Sequence, residues 1–162
     1  MLFRSVENAP IEFHARFDAT AKTYRYRIAT GSWMSPFDRW FVWHAPEPRD
    51  IDAMRRAASC LIGRHDFASF QGGGAAGTDT IRTVHRLEIR ELDAEVAIEV
   101  TGDGFLRHMV RAIVGTLAEV GLGARTPASL SDVLAARTRS AAGETAPACG
   151  LTLLSVRYGL YQ

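Results

Sequence analysis

The side chains best suited to chemistry gather in "GDGFLRHMVRAIVG", residues 102–115. Arg107, His108 and Arg111 follow two glycines and lead into an apolar run. Phe105, Met109, Ile113, Leu117 and Val120 recur at helical spacing, which predicts a helix from about Gly104 to Val120 with Asp103 as its N-cap. The three basic side chains then fall at the positive end of the helix dipole, where anions are favoured and further cations are not. Two readings stand. In the first, Asp103 caps the helix, contacts Arg107 four residues on, and the arginines are solvated. In the second, glycine allows close backbone approach while Arg107, His108 and Arg111 supply donors to an anion.

A second group is "KTYRYRI", residues 22–28, headed by Lys22, the only lysine of the chain. As a strand it places Tyr24, Tyr26 and Ile28 on one face, with Arg25 and Arg27 on the other. Two tyrosines on one face either fill the buried side of a sheet or offer a platform to an unstacked base. "HDFASFQ" adds Phe67 and Phe70, a pair that suits a core, and "IRTVHRLEI" adds Arg82 and Arg86.

The elements that must position these residues follow from local patterns. Alternation in "IEFHARF" (11–17) and "TYRYRIA" (23–29) predicts two strands joined through "ATAK" as a hairpin. "SWMSPFDRW" is a loop and "WFVWH" (40–44) a short strand. After "PEPRD" a helix is expected, capped by Asp50 or Asp52 and burying Ile51, Met54, Ala58, Leu61 and Ile62, with Gly63 at its end. "QGGGAAGTDT" (71–80) reads as a flexible loop. "IRTVHRLEIREL" and "EVAIEVTG" form a hairpin through "LDAE". A short helix follows Pro127, and "GLTLLSVRYGLY" is a final strand. Strands and helices do not alternate regularly, so the fold class is α+β: an antiparallel or mixed sheet with helices on one face, in a single domain over 1–162.

Composition sets bounds. A chain of 162 residues with 47% hydrophobic content is long enough for a self-sufficient core. No apolar run reaches ~18 residues, and the first residues lack the apolar stretch of a signal peptide, so no membrane span and a cytoplasmic address are expected. Cys60 and Cys149 lie far apart and read as reduced, buried thiols, with a disulfide or metal pair as the alternative. Five histidines show no ligand spacing, so no metal is expected. A net charge of +1 neither demands nor excludes a nucleic-acid partner, because local clustering decides that.

Taken in order, "FHARFDATAKTYRYRI", "RRAASCLIGRHDFASFQ", "RTVHRLEI", "GDGFLRHMVRAIVGTLAEVG" and "GETAPACGLTLLSVRY" closely resemble the C-terminal half of the tRNA pseudouridine synthase A family, over residues ~6–158. The resemblance implies isomerisation of uridine to pseudouridine in the anticodon stem-loop of tRNA, with no metal and no organic cofactor. It implies a homodimer with a long basic cleft. It assigns Tyr24 to packing on the target base and to handling the C5 proton, and Arg111 to pairing with the catalytic aspartate. Lys22, Arg25, Phe70, Arg82, Arg107 and His108 are the candidate RNA contacts. Such roles make physical sense: a phenol offers a flat apolar face and one hydroxyl, and an arginine keeps a neighbouring carboxylate ionised and oriented.

The family's aspartate belongs to a G-R-T-D-x-G-V-H-type block preceding the Tyr24 region, and residues 1–162 contain no such block. "AGTDTIRT" holds Asp79 without the flanking residues and too late in the order; Asp18, Asp66 and Asp103 do not match either. The expectation is a truncated, split or late-started form, inactive alone and completed by a separately encoded N-terminal half. Glu144 stands where the family commonly has proline. Two other classes remain in view, a non-catalytic RNA-binding or dimerisation module and a small-molecule-binding domain.

Overall fold

The tyrosine–arginine alternation builds an interior strand of a sheet. The computed structural model describes residues 6, 8–47, 49–73 and 79–159. Its elements run β1 (Ala19–Ala29), β2 (Trp43–His44), α1 (Ile51–Ser59), β3 (Gly63–Asp66), β4 (Ile81–Leu92), β5 (Glu95–Gly102), α2 (Met109–Gly121), α3 (Ser129–Ala136) and β6 (Leu151–Tyr158). The strands form one sheet in the order β2-β1-β5-β4-β3, and β6 also pairs with β1. Every pairing is antiparallel except β1 with β2. The fold is α+β, as the irregular order of elements predicts.

Period-two alternation explains the two faces of the sheet. Tyr26 and Ile28 of β1 pair with Ile98 and Val96 of β5, and all four are buried. They join Leu87 and Ile89 of β4 in a core shared with Met54 of α1 and with Met109, Ile113 and Leu117 of α2. Burying each large aliphatic or aromatic side chain of this kind contributes about 1.5–3 kcal/mol. The other face carries ion pairs instead: Arg25 with Glu99, Arg27 with Glu95, and Arg86 and Arg90 with Glu88.

α1 is capped as predicted, with the Asp50 carboxylate accepting from the Ala53 amide at 2.8 Å. Its stripe is Ile51, Met54, Ala57 and Ala58, continued by Leu61. Ile62, expected in that stripe, is exposed. The helix ends at Ser59, four residues before Gly63, which opens β3 with φ +112°.

Three expectations are corrected. Residues 11–17 form turns, not a strand: the His14 amide donates to Asp18 Oδ2 (2.8 Å), and the Arg16 and Phe17 amides donate to His14 Nδ1. These local bonds satisfy backbone groups that a ladder would otherwise need. "ATAK" is therefore no hairpin turn, because Ala19–Lys22 already belong to β1. Strand β2 keeps only Trp43 and His44, since β6 occupies the rest of that edge of β1 from Ala19 to Tyr26. Of the glycine-rich loop at 71–80, residues 74–78 lie outside the described residues, as does Pro48.

Candidate functional site

α2 begins at Met109, not at Gly104. His108, just before it, has φ 61°, a left-handed conformation that halts the helix on its N-terminal side. Asp103 does not cap the helix. Its backbone amide donates to the Thr83 carbonyl at 3.1 Å, and its Oδ1 accepts the Thr83 amide at 3.0 Å, so it extends the β4–β5 ladder past Gly102. Arg107 and His108 thus lie on a loop, and only Arg111 stands in the first helical turn. The dipole conflict raised by the sequence largely disappears.

This loop is stitched to the glycine-rich one. The Gly72 amide donates to the Arg107 carbonyl (2.7 Å) and the Arg107 guanidinium to the Gly73 carbonyl (3.2 Å). A Cβ on Gly72 would meet His108 Nδ1 at 2.6 Å, so glycine is what permits the approach. Arg82 borders the same region, with its Cδ 3.6 Å from where a Cβ on Gly104 would stand. Its carboxylate partner is distant, Asp79 at 4.0 Å. Local desolvation holds the exposed His108 imidazole below its ordinary value, and the charges of Arg111 and Arg107 push it further down.

Arg111 is anchored by a segment from the far end of the chain. Its Nε donates to the Ala146 carbonyl at 2.7 Å, and the Ala146 amide donates back to the Arg111 carbonyl at 3.1 Å. Among the described residues the two terminal nitrogens of Arg111 take no hydrogen-bond or ion-pair partner. One residue further on, the Pro147 carbonyl accepts the Tyr26 hydroxyl at 2.6 Å. Burial pushes the Tyr26 phenol well up, while the Arg111 charge, close enough to be felt there, acts in the opposite sense. Arg111 and Tyr26 thus donate to the neighbouring carbonyls of Ala146 and Pro147, and Tyr26 shares its face of β1 with Tyr24.

Tyr24 is half-buried, its ring edge-on to Phe105 with centroids 5.3 Å apart. Its hydroxyl has no partner among the described residues. Lys22 lies two residues before it, opposite Gly102 of β5. The structure thus gathers Lys22, Tyr24, Arg82, Arg107, His108 and Arg111 around the 102–111 rim.

Two expected RNA contacts do not join them. Arg25 is on the opposite face of β1, its Nε and Nη2 both bonded to Glu99 Oε1. Phe70 is fully buried, packed in the core near Phe67, so its ring offers no surface to a base. The carboxylates considered above are engaged elsewhere: Asp66 with Thr80 and Arg137, Asp79 with the Ile81 amide, Asp103 with Thr83, and Asp18 with His14. Cys60 and Cys149 are free and half-buried. Among the described residues no group of three or more His, Cys, Asp or Glu is placed to hold a metal.

Gly115, the last residue of the 102–115 stretch, serves a contact that local pattern does not show. A side chain there would collide with the Glu144 carbonyl, so glycine lets residues 141–147 lie flat along α2. Thr116, Glu119 and Ala146, which complete that contact, carry no signal in local periodicity.

Comparison with known proteins supplies the remaining observation. Residues 57–159 match a family profile described as tRNA pseudouridine synthase. The tRNA pseudouridine synthase A of Syntrophotalea carbinolica is 47% identical over 149 residues, covering 92% of this chain and 59% of that protein. The Brevibacillus brevis protein of the same description is 46% identical over 158 residues, 98% of this chain and 65% of the relative. A tRNA pseudouridine synthase A 2 of Clostridium tetani is 43% identical over 152 residues, 94% and 61% of the two chains. The chain spans less than two thirds of the length of each of these relatives.

Proposed function

This chain belongs to the tRNA pseudouridine synthase family, and we propose that it forms the tyrosine–arginine side of an active site that isomerises uridine in the anticodon stem-loop of tRNA. One observation carries the reading. Among the described residues, Arg111 is fixed through Nε while its terminal nitrogens and the Tyr24 phenol take no partner. A half-buried guanidinium in that state is prepared for a carboxylate that fits its fork.

The carboxylate is the aspartate of the G-R-T-D-type block, supplied from outside residues 1–162. Arg111 holds it ionised and oriented. In the isomerisation the uridine N1–C1′ bond breaks, the base turns, and C5 bonds to C1′. The C5 proton leaves and N1 gains one, so nothing is consumed and no cofactor is required. Tyr24 gives the turning base a flat face, braced by Phe105, and a hydroxyl within reach of the departing proton. Lys22, Arg82, Arg107 and His108 meet phosphates along the rim.

The protein acts in the cytoplasm as a homodimer in this reading. No described helix is long and apolar enough to cross a membrane. Support for self-association comes from the exposed aromatic side chains of the 33–41 loop, Trp33, Phe37, Trp40 and Phe41, which form apolar surface in need of cover.

Release of tritium from C5-labelled uridine in tRNA tests the proposal. The chain alone releases none, and adding a separately expressed N-terminal half of a relative restores release. Robust release by the chain alone overturns the requirement for an outside aspartate. Restored release that is indifferent to Arg111→Ala overturns the role of the guanidinium.

A further inference from the structure

The segment that anchors Arg111 is itself held by an unusual use of buried polar groups. Ser69 and Thr116 are both fully buried, and both grip the backbone of residues 138–147. Ser69 Oγ donates to the Val133 carbonyl and accepts the Thr138 amide at 3.0 Å, at the start of the segment. Thr116 Oγ1 donates to the Ala112 carbonyl, as a helical threonine ordinarily does, and its oxygen accepts the Gly143 amide at 2.9 Å. Glu119, one turn further along α2, accepts the Glu144 amide at 3.0 Å through Oε1 and the Arg125 guanidinium through Oε2. A side chain on Gly143 would collide with that carboxylate.

Arg111, Gly115 and Glu119 are four residues apart and so form one line along α2. The segment runs antiparallel to that line: Glu144 meets Glu119 and Gly115, and Ala146 meets Arg111. We infer that Thr116 and Glu119 are positioning residues, which clamp residues 143–144 so that the Ala146 carbonyl takes the Arg111 Nε and leaves the terminal nitrogens of the fork for the incoming carboxylate. This rests on the proposed role of Arg111, but the coupling it asserts is measurable without catalysis. Its physical basis is that one Nε–H donor aimed at a fixed acceptor orients the whole planar guanidinium. Misplacing a reacting partner by about 1 Å can cost up to ~10²-fold in rate.

The experiment follows the side-chain Nε–H resonance of Arg111 in the 15N-labelled chain, assigned by its loss in Arg111→Lys. In Thr116→Val, which removes the acceptor at nearly constant volume, and in Glu119→Leu, which removes both carboxylate oxygens, hydrogen exchange at the Gly143 and Glu144 amides rises. Arg111 Nε–H exchange should rise with it by about tenfold, while β4 and β5 amides keep their protection. Thr116→Ser retains the oxygen and should retain slow exchange at Arg111. Where one variant loses the fold, as shown by loss of β4 and β5 protection, the other carries the test. Opened 143–144 amides with unchanged Arg111 Nε–H exchange overturn the inference. In the enzyme completed by an N-terminal half, the folded variants should lose about tenfold in kcat with KM for tRNA within twofold. Loss confined to KM also overturns it. Absence of turnover in the wild-type mixture counts against the proposed function and leaves the exchange measurement standing.

Discussion

Two groups of arginines in this molecule bind different kinds of oxygen. On the outer face of the sheet, Arg25, Arg27, Arg86 and Arg90 face glutamates, bonded at 2.7 Å for Arg25 with Glu99 and for Arg27 with Glu95. On the 102–111 rim, Arg107 and Arg111 donate to backbone carbonyls, of Gly73 and Ala146. A carboxylate both orients and neutralises a guanidinium. A carbonyl orients it and leaves its charge uncompensated. The first group makes a soluble face at little net energy, since exposed pairs contribute about 0–1 kcal/mol. The second keeps cationic charge pointed and available, which is what a polyanionic partner or an incoming aspartate requires. Counting arginines does not separate the groups; their acceptors do.

The comparison breaks most visibly at Arg111. Arg111→Ala in the completed enzyme should lower tritium release at least ~10²-fold, the scale of removing one preorganised electrostatic partner. Arg111→Lys should fare little better, because an ammonium cannot hold Nε to Ala146 and fork to a carboxylate at once. Both should melt within a few degrees of the parent chain, measured by circular dichroism.

Next in size is Gly115→Ala. The added methyl drives into the Glu144 carbonyl, and overpacking of this sort costs about 1–3 kcal/mol. A melting temperature lower by several degrees is expected, at roughly 2–4 °C per kcal/mol for a chain of this size. Arg111 Nε–H protection should fall with it.

A matched pair then sharpens the contrast. Arg107→Gln should weaken binding of an anticodon stem-loop several-fold and reduce the salt dependence by about one released counterion. Arg25→Gln should leave RNA affinity within twofold and instead cost up to about 1 kcal/mol of stability. Fluorescence anisotropy across a salt series, beside thermal melts, reads both. Equal effects on RNA binding would erase the distinction between the faces.

The smallest effect is the titration of His108. Local desolvation, with Arg111 and Arg107 nearby, lowers the midpoint of this exposed imidazole below the ordinary 6.5. The folded state therefore resists protonation more than the unfolded one does. Stability falls as pH drops below 6.5 toward the folded midpoint and levels off below it. The imidazole shift, followed by NMR, should move up in Arg107→Gln. It should also move up on binding of RNA, whose phosphates favour the imidazolium.

Much of the scaffold was legible because its signals are local. The β4–β5 hairpin, the strand carrying Tyr24 and Tyr26, and the Asp50 cap of α1 all follow from alternation or capping chemistry within a few residues. The failures have equally local causes. Residues 11–17 alternate, but His14 and Asp18 fold them into turns. The helix of residue 111 starts late because Asp103 is drawn into the β4–β5 ladder and His108 turns left-handed. Phe70 was misassigned because an aromatic that closes a core and one that stacks on a base look alike in sequence. Gly115 serves a contact whose other side, Glu144, lies 29 residues on and gives no local sign.

The sequence alone settled the family, the α+β class and the face of β1 on which each side chain would lie, because a period of two and a set of ordered motifs need no knowledge of distant partners. It also put forward Tyr24 and Arg111 as candidates, the pair on which the proposed function rests. Only the tertiary structure decided which arginines have their charge offset by a carboxylate and which do not. That outcome depends on strand register and chain return: Glu99 reaches Arg25 across 74 residues and Ala146 reaches Arg111 across 35. Hydrogen-bond partners at that separation are set by the packing of whole elements, and no window along the chain contains them.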